Sequence, residues 1–294
     1  MVTRKCAPMF YGDSVIPLLW LPTNRKFAKM PTALLRFYEA VPGFLIAADS
    51  LSRDRERGIS NTENQKLFLI NEPSRKLVYA IMGAARINDP TDSFVELDLI
   101  KESKNVVDAL AKQNAEDLLV YGKKFARRLC TALENAKNSK KIKEYPPFPD
   151  PEHPDRCLIL TIYLWGYYNG QPSRADVKIT HRNQSLNLLD VSGISVTPFP
   201  DIIGSQKVAA ALFSSSPDSR VVSYHIAAMA KPLETLTLAE GKDVAINYIR
   251  ACDSPAGHEI DPDLAPGIGG KVQIATIAPT GAQWLDGYEP PVKK

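Results

Sequence analysis

Two charged side chains stand at the ends of neighbouring apolar runs in the first quarter of the sequence. The run "GFLIAA" stops at Asp49, and the run "LFLI" opens directly after Lys66. Short apolar runs bounded by polar residues are typical of buried β-strands. Carboxylates and amines are groups that acid–base chemistry uses. A buried ammonium without a partner is costly, so the position of Lys66 raises the question of which group compensates its charge.

Both residues also have a plainer interpretation. Lys66 could be an ordinary lysine that opens a strand and extends its ammonium into water. Asp49 could be a turn residue at a strand end.

Composition indicates an ordinary globular protein. The chain has 294 residues, of which 44% are hydrophobic and 23% charged, enough for one large domain or two small ones. The formal charge of +3 is not concentrated in one block. The most basic stretch, Lys137 to Lys143, lacks the interleaved aromatic residues of a nucleic-acid surface, so it is interpreted as a solvated helix end. No nucleic-acid partner is expected.

Cysteine and histidine positions predict neither a metal nor a cofactor. The four cysteines form no CxxC pair, and the four histidines form no ligand-spaced cluster. We expect reduced thiols and a cytoplasmic location. No run approaches the roughly 18 apolar residues of a membrane-spanning helix, so no membrane association is expected.

Local patterns predict two groups of strands and two groups of helices. Turn signals separate strands at "LLRFY", "FLIAA", "KLFLI" and "KLVYAIMG", and later at "CLILTIYLWGYY", "ADVKIT" and "LNLLDVSG". Apolar spacings of three to four predict helix between Ser103 and Asn135, and again in "GSQKVAAALFSS" and "SYHIAAMAKPL". A capping box of Thr237 and Glu240 opens another helix, and "GGKVQIATIAPTGAQWL" predicts a final hairpin.

The order of these elements is typical of α+β layers rather than of an alternating βαβ sheet. A proline-rich stretch at about 144–155 is predicted to be an insertion loop, because the strands before it are too few to close a core alone. We therefore expect an N-terminal extension or propeptide-like segment over residues 1–31 and one domain over residues 32–294.

An ordered set of short pieces resembles proteasome β-type subunits and their bacterial relatives, which are N-terminal-nucleophile (Ntn) hydrolases. In the N-terminal half the pieces are Thr32, Gly43, "AADS" at 47–50, Gly58, "KLFLI" at 66–70 and "MGAA" at 82–85. In the C-terminal half they are "IIGSQKVAAAL", "LTLAEGKDVAINYIRACDS" and "GIGGKVQIATI". The resemblance implies a four-layer αββα sandwich, which agrees with the α+β order.

The resemblance also implies roles for particular residues. In that family the hydroxyl of an N-terminal threonine is the nucleophile and its own α-amino group is the general base. Thr32 would then be the nucleophile, Lys66 the ammonium that favours the neutral amine, and Asp49 its partner. The Gly83 region, with its register open by one residue, would donate a backbone N–H to the oxyanion. Ser205 would position the amine.

Some of these positions have plainer interpretations or depart from the family pattern. Thr32 could be a plain strand threonine, and Ser205 a helix N-cap, which is compatible with positioning an amine. Pro31 stands where the family usually has Gly before the nucleophile. Without a gap from Gly43, the nucleophile position falls on Ala33, so Thr32 fits if the turn "EAVPG" holds one extra residue.

The C-terminal half departs from the family as well. Ala265 and Ile268 stand where the family has a carboxylate and a hydroxyl, and Asp261 and Asp263 lie nearby but out of register.

Two functions remain open from the sequence. The first is a threonine-type peptidase or amidohydrolase that cleaves amide bonds after loss of residues 1–31. The second is a catalytically silent structural subunit, which the departures favour. Because the family assembles through its helical layers, the resemblance also implies a homo-oligomer, with a ring as one form.

Overall fold

The computed structural model describes residues 10–11, 14–15, 32–54, 59–84, 86–88, 95–113, 117–146, 148–150, 153–191 and 196–291. Most of the predicted extension over residues 1–31, including Pro31, lies outside the described residues, as does Gly58. Within the extension the structure describes two short paired strands, β1 (Phe10–Tyr11) and β2 (Ser14–Val15).

The remaining strands alternate with helices in groups, as the sequence predicts. The strands are β3 (Leu34–Glu39), β4 (Gly43–Ala48), β5 (Ser52–Asp54), β6 (Ile59–Asn61), β7 (Leu67–Glu72), β8 (Arg75–Gly83), β9 (Arg86–Asn88), β10 (Val95–Asp98), β11 (Phe148–Pro149), β12 (Cys157–Tyr168), β13 (Gln171–Arg182), β14 (Ser185–Val191), β15 (Asp201–Ile203), β16 (Gln273–Ala278) and β17 (Gly281–Trp284). The helices are α1 (Leu99–Leu110), α2 (Leu118–Asn138), α3 (Gln206–Leu212), α4 (Leu238–Asp253) and α5 (Pro255–Ile260).

Two antiparallel sheets form the centre of the molecule. One has the order β14-β13-β12-β8-β7, with β11 added beside β12, and the other has the order β15-β3-β4-β16-β17. Short turns join β3 to β4, β7 to β8, β12 to β13, β13 to β14 and β16 to β17. The β12–β13 turn places Asn169 and Gly170 at positive φ (50° and 76°), which is the conformation that an Asn-Gly hairpin requires.

Three apolar cores separate four layers. Leu34 faces the space between the sheets, whereas its neighbours Leu35 and Phe37 face α3 and α4, because successive strand residues point to opposite faces. On the other side, α1 and α2 pack against the sheet that contains β12 and β8. The layers are therefore helices, sheet, sheet and helices. This confirms the predicted α+β fold and its αββα sandwich.

Two helix predictions needed correction. The pattern between Ser103 and Asn135 belongs to two helices, α1 and α2. The stretch "SYHIAAMAKPL" was predicted to be helical, but it is not an α-helix. It forms two short 3₁₀ turns instead, Val222–Tyr224 and Ala227–Ala230. The backbone at Ile226 and Lys231 is extended there, and Pro232 disfavours helical geometry at the residue before it. The predicted capping box of Thr237 and Glu240 is present at the start of α4.

A charged cluster ties the two sheets together at one edge of the sandwich. Arg36 of β3 is 1% exposed and donates to Asp201 of β15 at 2.5 Å. Arg174 of the opposite sheet donates to the same carboxylate at 2.6 Å and also pairs with Asp176. We call Arg36, Arg174, Asp176 and Asp201 the inter-sheet charge cluster. It joins β3, β13 and β15, and β15 leads directly into Ser205.

Within the described ranges, no helix has the length and apolar character needed to cross a membrane.

Candidate active site

Asp49 and Lys66 form an ion pair at one end of the sandwich. Asp49 follows the last residue of β4, and Lys66 precedes the first residue of β7, so the pair lies where one sheet meets the other. The Lys66 ammonium donates to both carboxylate oxygens of Asp49 at 2.8 Å. The Asp49 side chain is fully buried, and that of Lys66 is 10% exposed. Their predicted pairing is therefore present.

Backbone amides complete the surroundings of the Asp49 carboxylate. It accepts from the N–H groups of Ala33 at 2.8 Å, Leu51 at 3.2 Å and Gly269 at 3.2 Å. A carboxylate that accepts several charge-assisted hydrogen bonds is held in one orientation. Asp49 therefore joins its own segment to those of Ala33 and Gly269 beside the ammonium of Lys66.

The Thr32 hydroxyl lies beside the same ammonium. Lys66 Nζ is 3.3 Å from Thr32 Oγ1, and an ammonium has three donors, two of which Asp49 occupies. Hydrogen bonds between groups that take part in proton transfer are often long when no substrate is bound. The neighbouring Ala33 uses its N–H for Asp49, so of the two residues considered for the nucleophile position, Thr32 is the one that places an oxygen beside Lys66.

Burial and pairing act in opposite directions on this ion pair. Burial raises the pKa of the Asp49 carboxyl, while the charge and hydrogen bond of Lys66 and the amides of Ala33 and Gly269 lower it. Burial also lowers the pKa of the Lys66 ammonium, while Asp49 raises it. Desolvation is the largest cause for both groups, so each one depends on its partner to remain charged.

Gly83 lies at the same end of the sandwich, at the end of β8. Gly83 is paired with Leu160, and the N–H of Ala84 donates to the C=O of Ile159 at 2.9 Å. In an antiparallel ladder this pattern turns the Gly83 N–H away from β12. The register of β7 with β8 ends at the pair of Leu67 and Ala80, three residues short of Gly83. The Gly83 N–H therefore projects beyond the start of β7, where Lys66 lies.

Only glycine fits at position 83. Its φ is +129°, and a Cβ there would lie 2.5 Å from the carbonyl oxygen of Ile159.

Ser205 is the N-cap of α3 and also contacts a carboxylate that the sequence analysis set aside. Its Oγ accepts from the N–H of Val208 at 3.1 Å, which confirms the N-cap prediction. The same hydroxyl donates to Asp261 Oδ2 at 2.7 Å, and both side chains are buried. Asp261 follows α5, which turns the chain back towards α3. Ala265 and Ile268 are fully buried apolar residues.

The Gly204–Ser205 turn lies next to the strand that begins after Thr32. Ile203 of β15 pairs with Leu34 of β3, and a Cβ on Gly204 would lie 3.4 Å from the Cα of Ala33. The structure thus brings Thr32, Asp49 and Lys66 into contact and places Ser205 beside the same strand.

Gln273 also belongs to the site, and it was not predicted from the sequence. This fully buried residue opens β16 and hydrogen-bonds the backbone around Lys66. No local signal distinguishes it from a polar residue at a strand start.

Helices cover both outer faces of two stacked antiparallel sheets, and the predicted site residues gather at one end of the stack. The fold is an αββα sandwich of the α+β class. No protein-family model matches the sequence, and no curated protein matches it. A solved structure similar to this chain is that of Anbu, a (Gly-1) mutant, from Hyphomicrobium sp. strain MC1. The similarity covers 88% of each chain, with a TM-score of 0.41 and 12% sequence identity.

A cleft of about 730 Å³ opens at the other end of the αββα sandwich. It lies between the start of α4 and the β16–β17 hairpin, and its walls include Leu45, Leu238 and Leu285. Lys242 is the one titratable residue in its lining. This cleft therefore offers no acid–base pair, in contrast to the end that holds Thr32. Among the described residues, no group of three or more His, Cys, Asp and Glu side chains could hold a metal ion.

Proposed function

We propose that this chain is a threonine-type amide hydrolase whose nucleophile is the Thr32 hydroxyl. Loss of residues 1–31 would free the α-amino group of Thr32 as the general base. The single observation that carries the proposal is the continuous contact from Thr32 Oγ1 to Lys66 Nζ at 3.3 Å and on to Asp49 at 2.8 Å. An alcohol needs such help, because it is a weak nucleophile at neutral pH.

Each step of the reaction has a residue to support it. Thr32 Oγ attacks the carbonyl carbon of the amide while its proton moves to the α-amino group, and Lys66 keeps that amine neutral beforehand. The developing oxyanion would accept the Gly83 N–H. Collapse of the tetrahedral intermediate breaks the C–N bond, and the departing nitrogen takes the proton. Water then hydrolyses the Thr32 ester, which releases the carboxylic acid and restores the hydroxyl.

Ser205 and Asp261 would position the amine. Their 2.7 Å hydrogen bond fixes the Ser205 hydroxyl beside the strand that begins after Thr32. In this proposal Asp261 supplies, from a different position, the carboxylate that the family pattern expects where Ala265 stands.

A catalytically silent structural subunit is the alternative. It is favoured by Pro31, which leaves the Thr32 nitrogen in a peptide bond, and by the apolar residues Ala265 and Ile268. In that case Asp49 and Lys66 would serve packing alone.

Processing of the full-length chain distinguishes the two functions. Intact mass and N-terminal sequencing of the purified protein are expected to find a chain that begins at Thr32, together with hydrolysis of peptide or arylamide substrates. Thr32→Ala and Lys66→Met are expected to stay full-length and inactive, because each removes a group that the cleavage needs. A wild-type chain that stays full-length and hydrolyses none of a broad peptide library would refute the enzyme and leave the structural subunit.

We also propose that the chain assembles with copies of itself, in a ring or a pair of rings. The outer helical layers offer surfaces that differ from one another, and contacts between unlike faces generate rings when the rotation closes. Light scattering coupled to size exclusion is expected to give a multiple of the mass of one chain, which is 32.5 kDa before the loss of residues 1–31. A mass equal to one chain would refute the assembly.

A further inference from the structure

The side chain of Gln273 fixes the backbone on both sides of Lys66. Its Oε1 accepts the N–H of Lys66 at 3.0 Å and that of Leu67 at 3.4 Å. Its Nε2 donates to the C=O of Asn64 at 2.6 Å. Gln273 is 0% exposed, so water does not compete for these bonds. The side-chain amide thus gives residues 64–67 the kind of hydrogen bonds that the backbone of a neighbouring strand would give.

The backbone of Gln273 is paired with the end of the strand that leads into Asp49, the other member of the ion pair. Gln273 opens β16 and is paired with Ala48 of β4, the residue that precedes Asp49. One residue therefore spans the two segments that carry the carboxylate and the ammonium. The length of the Gln273 side chain sets the distance between the start of β7 and the end of β4.

We propose that Gln273 is a positioning residue that holds the Lys66 ammonium between Asp49 and Thr32. The inference rests on the proposed function for its catalytic consequence, whereas its geometric part stands alone. The 3.3 Å contact from the Lys66 ammonium to Thr32 is longer than the two 2.8 Å contacts from the same ammonium to Asp49, so a shift of residues 64–67 threatens it first. A displacement of about 1 Å can lower an enzymatic rate by about 100-fold.

Gln273→Met tests this role. Methionine has a similar length and no hydrogen-bonding amide, so it fills the space and leaves the Asn64 carbonyl and two N–H groups without their partner. We expect hydrolysis to fall by about 100-fold. Amine acetylation of Lys66 at pH 8, measured by mass spectrometry against the other lysines, is expected to rise by about 10-fold, because an amine that leaves Asp49 becomes accessible to the reagent.

Asn71→Leu is the matched control. Asn71 also bridges two strands through its amide, since it bonds the C=O of Ala282 at 2.6 Å and the N–H of Ala282 at 3.1 Å. It lies at the opposite end of β7, away from Lys66. Asn71→Leu is expected to lower the urea midpoint without changing the acetylation of Lys66.

Gln273→Glu adds a test by pH. A protonated carboxyl can both accept and donate like the amide, whereas a carboxylate cannot donate to Asn64. Its hydrolytic rate relative to wild type is therefore expected to recover as the pH falls.

The outcomes distinguish the positioning role of Gln273 from the proposed hydrolase function. If wild type hydrolyses nothing but Lys66 acetylation rises in Gln273→Met alone, the positioning role holds and the proposed function fails. Equal acetylation of Lys66 in Gln273→Met and wild type would overturn the positioning role, as would an equal rise in Asn71→Leu.

Discussion

Lys66→Met is expected to lower the free energy of unfolding by about 3–5 kcal/mol at pH 7 and to abolish amide hydrolysis. Without the ammonium, the fully buried Asp49 carboxylate keeps its amide donors but loses the opposite charge. The Thr32 hydroxyl loses its contact at the same time. Urea unfolding followed by circular dichroism measures the first effect, and a peptide hydrolysis assay measures the second.

Lys271→Met is the control for Lys66→Met. Lys271 pairs with Glu63 at 2.8 Å near the same end of the molecule, but the two side chains are 60% and 58% exposed. An exposed pair contributes about 0–1 kcal/mol, so the control is expected to unfold close to wild type and to keep its activity. If Lys66→Met unfolds at the same urea concentration as Lys271→Met, the pair is not held as the structure describes.

The stability lost in Lys66→Met is expected to depend on pH. Burial already raises the pKa of the Asp49 carboxyl, and removing Lys66 removes the charge and hydrogen bond that lower it. A folded-state pKa above the unfolded one means that the folded chain takes up the proton first as the pH falls. The deficit relative to wild type should therefore be largest at neutral pH and shrink as the pH falls through the folded pKa towards 3.8. A stability deficit of Lys66→Met that grows as the pH falls would contradict this direction of the pH dependence.

Arg36→Met is expected to lower the free energy of unfolding by about 3–5 kcal/mol, because it breaks a buried ion pair from one side. Arg36 donates to Asp201 at 2.5 Å and to the carbonyls of Thr197 and Phe199 at 3.2 and 2.8 Å. Its loss leaves the carboxylate to Arg174 alone and frees the chain that leads into β15. Urea unfolding measures this effect.

Arg220→Met is the matched control for Arg36→Met. Arg220 also binds a carboxylate, Asp218, at 2.6 Å, but it does so in water at the surface. Its replacement is expected to leave the urea midpoint unchanged. An equally small effect in Arg36→Met would mean that the inter-sheet charge cluster does not hold the sheets together.

The sequence predicted those parts of the site that local patterns determine. Asp49 and Lys66 each end or open an apolar run, and a strand boundary is visible from its neighbours alone. Their pairing and the Thr32 contact followed from the resemblance, since nothing local indicates which strand ends meet. The four-layer αββα arrangement also followed from the resemblance, whereas the order of strands and helices indicated α+β layers.

The residues that escaped prediction act through partners far away in the chain. Gln273 bonds Lys66 across 207 positions, and Arg36 bonds Asp201 across 165. Within "LLRFY", Arg36 has the pattern of an outward-facing strand residue, yet it faces the opposite sheet because Asp201 compensates its charge. Asp261 was set aside because its spacing differs from the family pattern, and α5 returns it to Ser205 all the same.

Peptide mapping of a covalent adduct shows whether the Thr32 hydroxyl is a nucleophile. After incubation with a β-lactone, which acylates reactive hydroxyl groups, we expect one modified peptide, with the added mass on Thr32. We expect this mass to be absent from Lys66→Met and retained in Lys271→Met. An unmodified Thr32 in the wild-type protein, or equal modification of Thr32 in Lys66→Met, would mean that Thr32 is not a nucleophile activated by Lys66.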